Sequence, residues 1–223
     1  MEGPAKPSNN TKESSPKPSV EVESEFAEFV PQDFLNDPVG YFERGGKNIK
    51  TGEVKYDEAG ALREDPTAVK DLPVWTNSNG IEILTVGRRV NTIKGAVGES
   101  GDPFYEYKIL EKLMEIGLPA ARPIAKAEQG GTHIIVMERI PGVRWSERES
   151  LNLKEKGYSD EDIATLISEA EQKMDGLKTR FDEAGVIRSW KLKDMVFEID
   201  IENKKVISIV PTDWERTKII EKQ

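Results

Sequence analysis

Apolar and polar residues alternate with the two-residue period of a β-strand at several places after residue 70. Such runs predict strands where turn residues bound them. They lie at 72–75, 81–86, 89–94, 124–128 and 133–140. Gly87-Arg88 is expected to turn the chain between the second and third of these strands. The pattern therefore predicts an antiparallel unit of about five strands.

Two longer stretches have the 3.6-residue period of an α-helix. The first begins at Asp102-Pro103, where an aspartate can cap the helix and a proline fits its first turn, and it stops at Gly117. The second begins after Ser159 in a capping pattern and continues to Gly185. Two more strands are predicted after it, at 195–201 and 205–210.

The first 70 residues differ from the rest in composition. Residues 1–24 are dominated by Pro, Ser, Lys, Glu and Asn. Such a segment cannot bury enough apolar surface to offset its chain entropy, so it is predicted to be a disordered tail. Residues 25–70 carry a group of aromatic residues between Phe26 and Phe42. This part is predicted to be an extension that packs on the folded body.

Composition and charge exclude several classes of function. The 223 residues include 32 Lys and Arg against 41 Asp and Glu, and the net charge of −9 opposes broad binding to nucleic acid or to anionic membranes. The chain has no cysteine, and its single histidine, His133, lies in a predicted buried strand. Thiolate chemistry is therefore absent and histidine chemistry is disfavoured. No apolar run approaches the roughly 20 residues of a membrane span, and we expect a cytoplasmic protein.

Lys94 and Glu106 form a candidate pair for binding phosphate. Lys94 lies on the same face of the third predicted strand as Val90 and Thr92, and Glu106 lies early in the first predicted helix. A salt bridge between them would hold an ammonium group over a bound polyphosphate. The alternative is a surface lysine and an unrelated glutamate, and the pair alone does not decide between them.

A series of motifs gives this pair a context. They lie at 105–113 with 117–120 and 123–124, at 134–142, at 159–184 with 181–187, and at 212–215. In this order they resemble parts of the protein-kinase-like superfamily: the N-lobe helix with the strand after it, the fifth strand with the hinge, the long C-lobe helix that leads into the catalytic loop, and the metal-binding aspartate motif. Within that superfamily the chain is most similar to aminoglycoside-phosphotransferase-like and RIO-like small kinases.

The resemblance implies an α+β, bilobal fold. Residues 71–141 would form an N-lobe with a five-stranded antiparallel sheet plus one helix. Residues 142–223 would form a truncated, mainly helical C-lobe.

The same resemblance implies a site for MgATP. Lys94 would contact phosphate oxygens and Glu106 would orient it. Backbone groups of the hinge would hydrogen-bond the adenine edge, at Met137, Glu138 and Ile140. These five residues are the predicted nucleotide-binding set.

Two aspartates, Asp194 and Asp213, are implied as ligands of Mg²⁺. The catalytic base of kinases is missing here, because its position falls on Ser189 or Trp190. Neither side chain ionises near neutral pH. The resemblance therefore predicts nucleotide binding more firmly than it predicts catalysis.

Arg188 begins a small basic cluster that includes Lys191 and Lys193 and lies beside Trp190. The resemblance places either Ile187 or Arg188 where kinases have the usual histidine of the loop. The cluster could bind an anion or stack on a base. A solvated loop around a buried tryptophan is the alternative.

These observations predict a kinase-like protein that binds ATP and Mg²⁺ and in which phosphotransfer is impaired or absent. Two alternatives stay open. One is an active small phosphotransferase that uses a displaced carboxylate such as Asp182 or Asp194. The other is a scaffold in which the acidic surface or the aromatic segment 26–42 binds a partner. The sequence does not specify a small-molecule or protein partner beyond the nucleotide.

Overall fold

A computed structural model describes residues 17–45, 48–50, 69–90, 102–145, 148, 151–214 and 217–220. The predicted strand 89–94 is described only as far as Val90, so Lys94 lies outside the described residues. Residues 1–16 of the predicted tail and residues 51–68 of the predicted extension lie outside them as well.

The described chain is α+β, as predicted. Its strands are β1 (Ser19–Val22), β2 (Asn48–Lys50), β3 (Val69–Asp71), β4 (Trp75–Thr76), β5 (Glu82–Ile83), β6 (Thr85–Val90), β7 (Pro123–Gln129), β8 (Thr132–Glu138), β9 (Val143–Arg144), β10 (Val186–Ile187), β11 (Met195–Asp200), β12 (Lys205–Pro211) and β13 (Lys218–Ile219). Its α-helices are α1 (Gln32–Asn36), α2 (Pro38–Glu43), α3 (Tyr105–Glu115) and α4 (Asp160–Glu183).

The largest sheet is antiparallel throughout. The described strands pair in the order β1-β7-β8-β6-β3-β2. At its centre β6 pairs with β8, from Thr85 opposite Glu138 to Val90 opposite His133. The antiparallel arrangement was predicted, but the sheet has six described strands where five were expected, and its members differ from the predicted ones.

Strand β6 runs straight through Gly87 and Arg88, where the sequence predicted a turn. A Cβ atom on Gly87 would lie 2.8 Å from the Phe42 ring and 3.0 Å from a Leu72 methyl group. The glycine is therefore needed for close packing of α2 on the sheet, and it does not break the strand. Residues 85–90, from the adjoining ends of the predicted strands 81–86 and 89–94, form one strand that keeps Arg88 in the sheet, while residues 82–83 belong to β5.

The predicted disordered tail, residues 1–24, is structured at its end. Residues Ser19–Val22 form β1, which pairs with β7 from Ser19 opposite Glu128 to Val22 opposite Ala125. Val20 and Val22 pack against the sheet core, while Ser19 and Glu21 are exposed. The two valines lie at alternate positions, so both face the sheet core. The polar average composition of the whole tail gave no indication of this local apolar contact.

The segment after β1 packs on one face of the sheet. Its aromatic residues share what we call the sheet core with residues of β7, β8 and the neighbouring strands; the buried members from this segment are Phe26, Phe34, Tyr41 and Phe42. Trp75 is fully buried among them and donates its indole N–H to the hydroxyl of Tyr41 at 3.1 Å. Helices α1 and α2 therefore anchor on the sheet through aromatic packing.

A second core, the C-terminal core, joins α3 to the elements after residue 150. Leu110 and Leu113 of α3 are fully buried in it, together with Phe181 of α4 and Trp214. The Phe181 and Trp214 rings stack with their centroids 5.9 Å apart. The sheet and the C-terminal elements thus meet across α3.

The C-terminal part is less helical than expected. Helix α4 is accompanied by the described three-stranded sheet β12-β11-β9 and by the pair β10-β13. The bilobal kinase-like division at residue 141 stays a prediction. Among the described helices, none has the length and apolar character needed to cross a bilayer.

Candidate functional site

A cleft lies where the sheet faces the ends of the C-terminal strands. Its cavity volume is about 110 Å³. The polar and charged side chains that line it are Arg88, Glu106, Glu138, Arg139, Arg144, Thr212 and Asp213. Apolar residues complete its walls, among them Val86, Met137 and Trp214. This volume is below the roughly 300–1,000 Å³ of ligand pockets, so a drug-sized ligand would extend beyond it.

A buried ion pair forms one wall of the cleft. The Nη1 atom of Arg88 lies 2.6 Å from the Glu106 carboxylate, and the two side chains are only 5% and 7% exposed. Arg88 projects from the middle of β6, and Glu106 lies in the first turn of α3. The sequence predicted Lys94 as the partner of Glu106, whereas the described partner is Arg88.

Arg88 is the site residue that sequence reasoning missed. The sequence nevertheless carries a pattern that indicates its position: Val86, Arg88 and Val90 lie at alternate positions of one strand and so share a face. The interpretation of Gly87-Arg88 as a turn concealed it. Without that turn, the strand continues and places a cation opposite α3.

Residues 138–142, here called the connecting segment, link β8 to β9 and border the cleft. The N–H of Glu138 donates to the Arg122 carbonyl and the N–H of Arg139 to the Leu84 carbonyl, both at 2.8 Å. Pro141 has no N–H. Within the described ranges, the N–H of Ile140 makes no backbone hydrogen bond.

Gly142 fixes the path of this segment. Its φ of +111° suits glycine, and a Cβ atom there would lie 2.1 Å from the carbonyl oxygen of Phe197. Strand β9 follows at once and pairs with β11, with Val143 opposite Phe197. The connecting segment is therefore held against the C-terminal sheet by backbone contact.

The two predicted metal ligands occupy different positions. Asp213 lines the cleft and has a left-handed backbone, with φ of +66°. Asp194 ends a short 3-10 helix, and its carbonyl oxygen accepts bonds from the N–H and the hydroxyl of Thr212, at 2.8 and 2.9 Å. Asp194 is not among the described residues that line the cleft.

Arg188 is buried behind this segment, with 9% of its surface exposed. Its guanidinium carbon lies 4.4 Å from the ring centroid of Trp214 and 5.1 Å from that of Trp190. Its Nη2 donates to the carbonyl of Thr212 at 2.9 Å, while Nη1 finds no partner among the described residues. Burial lowers the pKa of Arg188 to about 10, and the charges of Asp194 and Asp213 oppose that shift.

The residues that the resemblance aligns with a kinase base carry no carboxylate. Ser189 is exposed and Trp190 is half-buried, with its ring edge against Phe181. Asp182, the displaced base considered above, is exposed near the end of α4 and is not among the described cleft residues. His133 is buried with its ring against Phe104, and it too is not among them.

The cleft thus gathers most of the residues that the sequence singled out. Those that line it are Glu106, Met137, Glu138, Ile140 and Asp213. Asp194 contacts the cleft indirectly, because its carbonyl accepts a hydrogen bond from the N–H of Thr212, which lines the cleft. Lys94 lies outside the described residues. The structure adds the buried cation Arg88 to this set.

Comparison with known proteins gives little further information. No protein-family model and no curated protein sequence matches the chain. Among solved structures, WaaP in complex with acyl carrier protein aligns with 91% of this chain and 73% of that chain, at 16% sequence identity and a TM-score of 0.47. At this TM-score the likeness establishes neither a shared fold nor a shared function.

Proposed function

We propose that this protein binds a nucleoside triphosphate, ATP, in the cleft and that phosphotransfer is impaired or absent. The observation that carries the proposal is the buried Arg88–Glu106 ion pair in the wall of a cleft that Asp213 and the connecting segment also line. This combination parallels the strand cation, helix carboxylate and acidic motif with which kinase-like proteins hold a triphosphate.

The ion pair is informative because it is costly to bury. Desolvation of two charges often offsets their attraction, so such a pair adds little to stability compared with apolar residues of the same volume. A role in binding an anion gives a reason for its presence. The guanidinium of Arg88 is planar and suits phosphate oxygens, and Glu106 fixes its orientation.

The connecting segment supplies a partner for the base. The N–H groups of Glu138 and Arg139 are used within the sheet, so we assign the N–H of Ile140 to a ring nitrogen of adenine. Val86 and Met137 provide apolar surface beside it. We therefore place a planar base beside these side chains, with the phosphates directed to Arg88.

Impaired catalysis follows from the missing base. A kinase uses a carboxylate to accept the proton of the substrate hydroxyl. Ser189 and Trp190 cannot do so near neutral pH, and neither Asp182 nor Asp194 is among the described cleft residues. We therefore expect ATP to bind without measurable turnover.

Thermal unfolding with increasing ATP tests the proposal. A ligand at a hundredfold its Kd stabilises a protein by about 2.7 kcal/mol. For a chain of this size that corresponds to a rise in Tm of about 5–10 °C. No shift at millimolar ATP would contradict the proposal and favour the scaffold alternative.

A double variant, Arg88→Met with Glu106→Leu, shows whether the ion pair holds the ligand. Replacing both charges together avoids leaving one buried and unpaired, so the fold should survive. We expect the ATP-dependent rise in Tm to disappear. Arg89→Met is the matched control, because Arg89 is the next residue on β6, pairs with Glu43 at 2.8 Å and is not among the described cleft residues.

A further inference from the structure

Asp213 has an unfavourable backbone conformation in the wall of the cleft. Its φ of +66° lies in the left-handed region, which is costly for a residue that carries a side chain. Such a conformation persists where the surrounding contacts fix the chain on both sides of the residue. The contacts of Thr212 and Trp214 therefore show what holds Asp213 in place.

Thr212 is held by hydrogen bonds from its main chain and its side chain. Its N–H and hydroxyl donate to the carbonyl of Asp194, at 2.8 and 2.9 Å. Its own carbonyl accepts a bond from Nη2 of Arg188 at 2.9 Å, and a charged donor makes such a bond stronger. This carbonyl belongs to the planar peptide unit that precedes Asp213, so Arg188 fixes the plane from which φ of Asp213 is set.

Trp214 is held from two sides by ring contacts. It is 2% exposed, and its ring stacks on Phe181 with the centroids 5.9 Å apart. The guanidinium carbon of Arg188 lies 4.4 Å from the ring centroid of Trp214. Arg188 thus contacts the residue on each side of Asp213.

The guanidinium of Arg188 is costly to bury. Its Nη1 finds no partner among the described residues, and an unsatisfied buried donor costs more when it is charged. An apolar side chain would fill the space between the Trp190 and Trp214 rings without that cost. The contacts on both sides of Asp213 give a reason for an arginine at this position.

Asp213 is the aspartate that the cleft offers to a metal ion carried by a nucleotide. It lines the cleft, whereas Asp194 is not among the described cleft residues. Such an ion is bound by phosphate oxygens together with one or two carboxylates of the protein. In the part of the chain that the structure describes, no group of three or more His, Cys, Asp or Glu side chains could hold a metal alone. One carboxylate beside a bound triphosphate fits Mg²⁺.

We propose that Arg188 is a positioning residue, which holds the backbone on both sides of Asp213 so that this carboxylate meets the metal ion of bound MgATP. This inference rests on the proposed function. Arg188 is itself not among the described cleft residues, so it acts through Thr212 and Trp214. Its loss should therefore remove the contribution of Mg²⁺ to affinity and leave the binding of ATP itself.

Calorimetric titration of the full chain with ATP, in EDTA and in excess Mg²⁺, measures that contribution. In the unmodified protein we expect Mg²⁺ to raise the affinity about tenfold or more. The same affinity in both buffers would overturn the inference and leave the nucleotide site standing. Absence of binding in both buffers would overturn the proposed function, and this inference with it.

Arg188→Met should lower the gain from Mg²⁺ to about threefold or less and keep the Kd in EDTA within about threefold of its original value. An unchanged gain, or an equal loss of affinity in both buffers, would overturn the inference. Arg148→Met is the matched control, since this exposed arginine also lies on a tryptophan, 5.0 Å from the Trp145 ring, and is not among the described cleft residues. We expect the control to keep the full gain.

Arg188→Lys covers the case in which the methionine variant folds poorly. It keeps the positive charge, but an ammonium group lacks the planar fork that both stacks on Trp214 and bonds Thr212. We expect the gain from Mg²⁺ to fall by about threefold. A lysine variant with the gain of the unmodified protein would contradict the role of Arg188.

Urea unfolding of the same variants tests the positioning without a nucleotide. Asp213→Gly should raise the urea midpoint, because glycine adopts a positive φ without a steric penalty. In the Arg188→Met background, where the segment can relax, we expect no such rise. Asn152→Gly, at φ of +48° ahead of α4, is the control and should have the same effect in both backgrounds. Equal rises for Asp213→Gly in the two backgrounds would show that Arg188 does not hold Asp213, and would overturn the inference.

Discussion

Gly142 is a position in the cleft wall that has no room for a side chain. Two separate constraints act on it: a positive φ of +111°, and the backbone of Phe197, which a Cβ atom would approach to 2.1 Å. Backbone atoms cannot move aside as a flexible side chain can. The pairing of β9 with β11 therefore depends on the absence of a side chain at position 142.

We predict that Gly142→Ala destabilises the protein by more than the left-handed backbone alone would, which is about 1–2 kcal/mol. Gly157→Ala is the matched control, because Gly157 has φ of +84° and no atom within 4 Å of the added Cβ. Urea unfolding measures both free energies. Equal losses in the two variants would contradict the clash. The Gly142 variant should also weaken ATP binding, since the connecting segment must shift.

At the scale of elements, the start of α4 is tied to the turn between β11 and β12. Ser159 and Asp162 form a reciprocal capping box, with bonds of 3.1 and 2.8 Å. Lys204, at φ of +54° in that turn, donates to the Asp162 carboxylate at 2.7 Å. The sequence predicted the capping pattern, but it gave no sign that a lysine 42 residues later would complete it.

This contact predicts a dependence of stability on pH. The hydrogen bonds from Lys204 and then from the Ser159 N–H lower the pKa of Asp162 to about 2, against about 3.9 in an unfolded chain. The contribution is therefore fully present above about pH 4 and is lost as the pH falls towards 2. Asp162→Asn should remove this part of the acid sensitivity.

Urea midpoints at pH 5, 4 and 3 measure the effect. Asp160→Asn is the control, because Asp160 neighbours the box, is largely exposed and pairs with the exposed Lys154 at 2.7 Å. We expect the control to keep the acid sensitivity of the unmodified protein. An Asp162 variant that loses stability with falling pH as steeply as the unmodified protein would contradict the assignment.

Local periodicity was enough to predict several elements. Helices α3 and α4 and the hairpin β11–β12 appear close to their predicted bounds, because each carries a regular apolar pattern with clear start and stop residues. Glu106, Met137 and Asp213, which the resemblance to kinases grouped as parts of one site, line one cleft. Their roles there stay predictions.

The features that the sequence did not predict depend on contacts between distant parts of the chain. Strand β1 exists because Ser19 lies opposite Glu128 and Val22 opposite Ala125, and no local pattern encodes such a pairing. Gly87 was interpreted as a turn because its packing against Phe42 is visible only in three dimensions. Arg88 was missed for the same reason.

At the scale of the whole molecule, the segment 19–26 ties the sheet to α3. The Tyr107 hydroxyl of α3 donates to the Glu23 carboxylate at 2.8 Å, and Arg122 contacts both Glu25, at 2.7 Å, and the Phe26 ring. Burial raises the pKa of Tyr107, with a further contribution from Glu23, so this hydroxyl stays a donor over the working pH range. Glu106 of the cleft lies on the same helix turn.

We predict that Tyr107→Phe weakens ATP binding several-fold, because α3 loses its tie to Glu23 and holds Glu106 less firmly. The lost hydrogen bond should also lower the free energy of unfolding by about 0.5–1.5 kcal/mol. Tyr158→Phe is the matched control, since its hydroxyl donates to the Ile201 carbonyl at 2.8 Å, on the side of the molecule near Lys204. Calorimetric titration with ATP should separate the two variants, and equal affinities would contradict the coupling.

Strand β1 also has a consequence for self-association. It covers the outer edge of β7 and satisfies backbone groups that would otherwise face solvent as a template for another chain. The exposed positions of β1 are Ser19 and Glu21, and Glu21 pairs with Lys126. The outermost strand at this edge of the sheet is therefore short and carries a charged side chain. A proteolytic cut that released residues 19–22 would bare an apolar strand edge, and fibrous or amorphous aggregation would be the expected fate of the remaining protein.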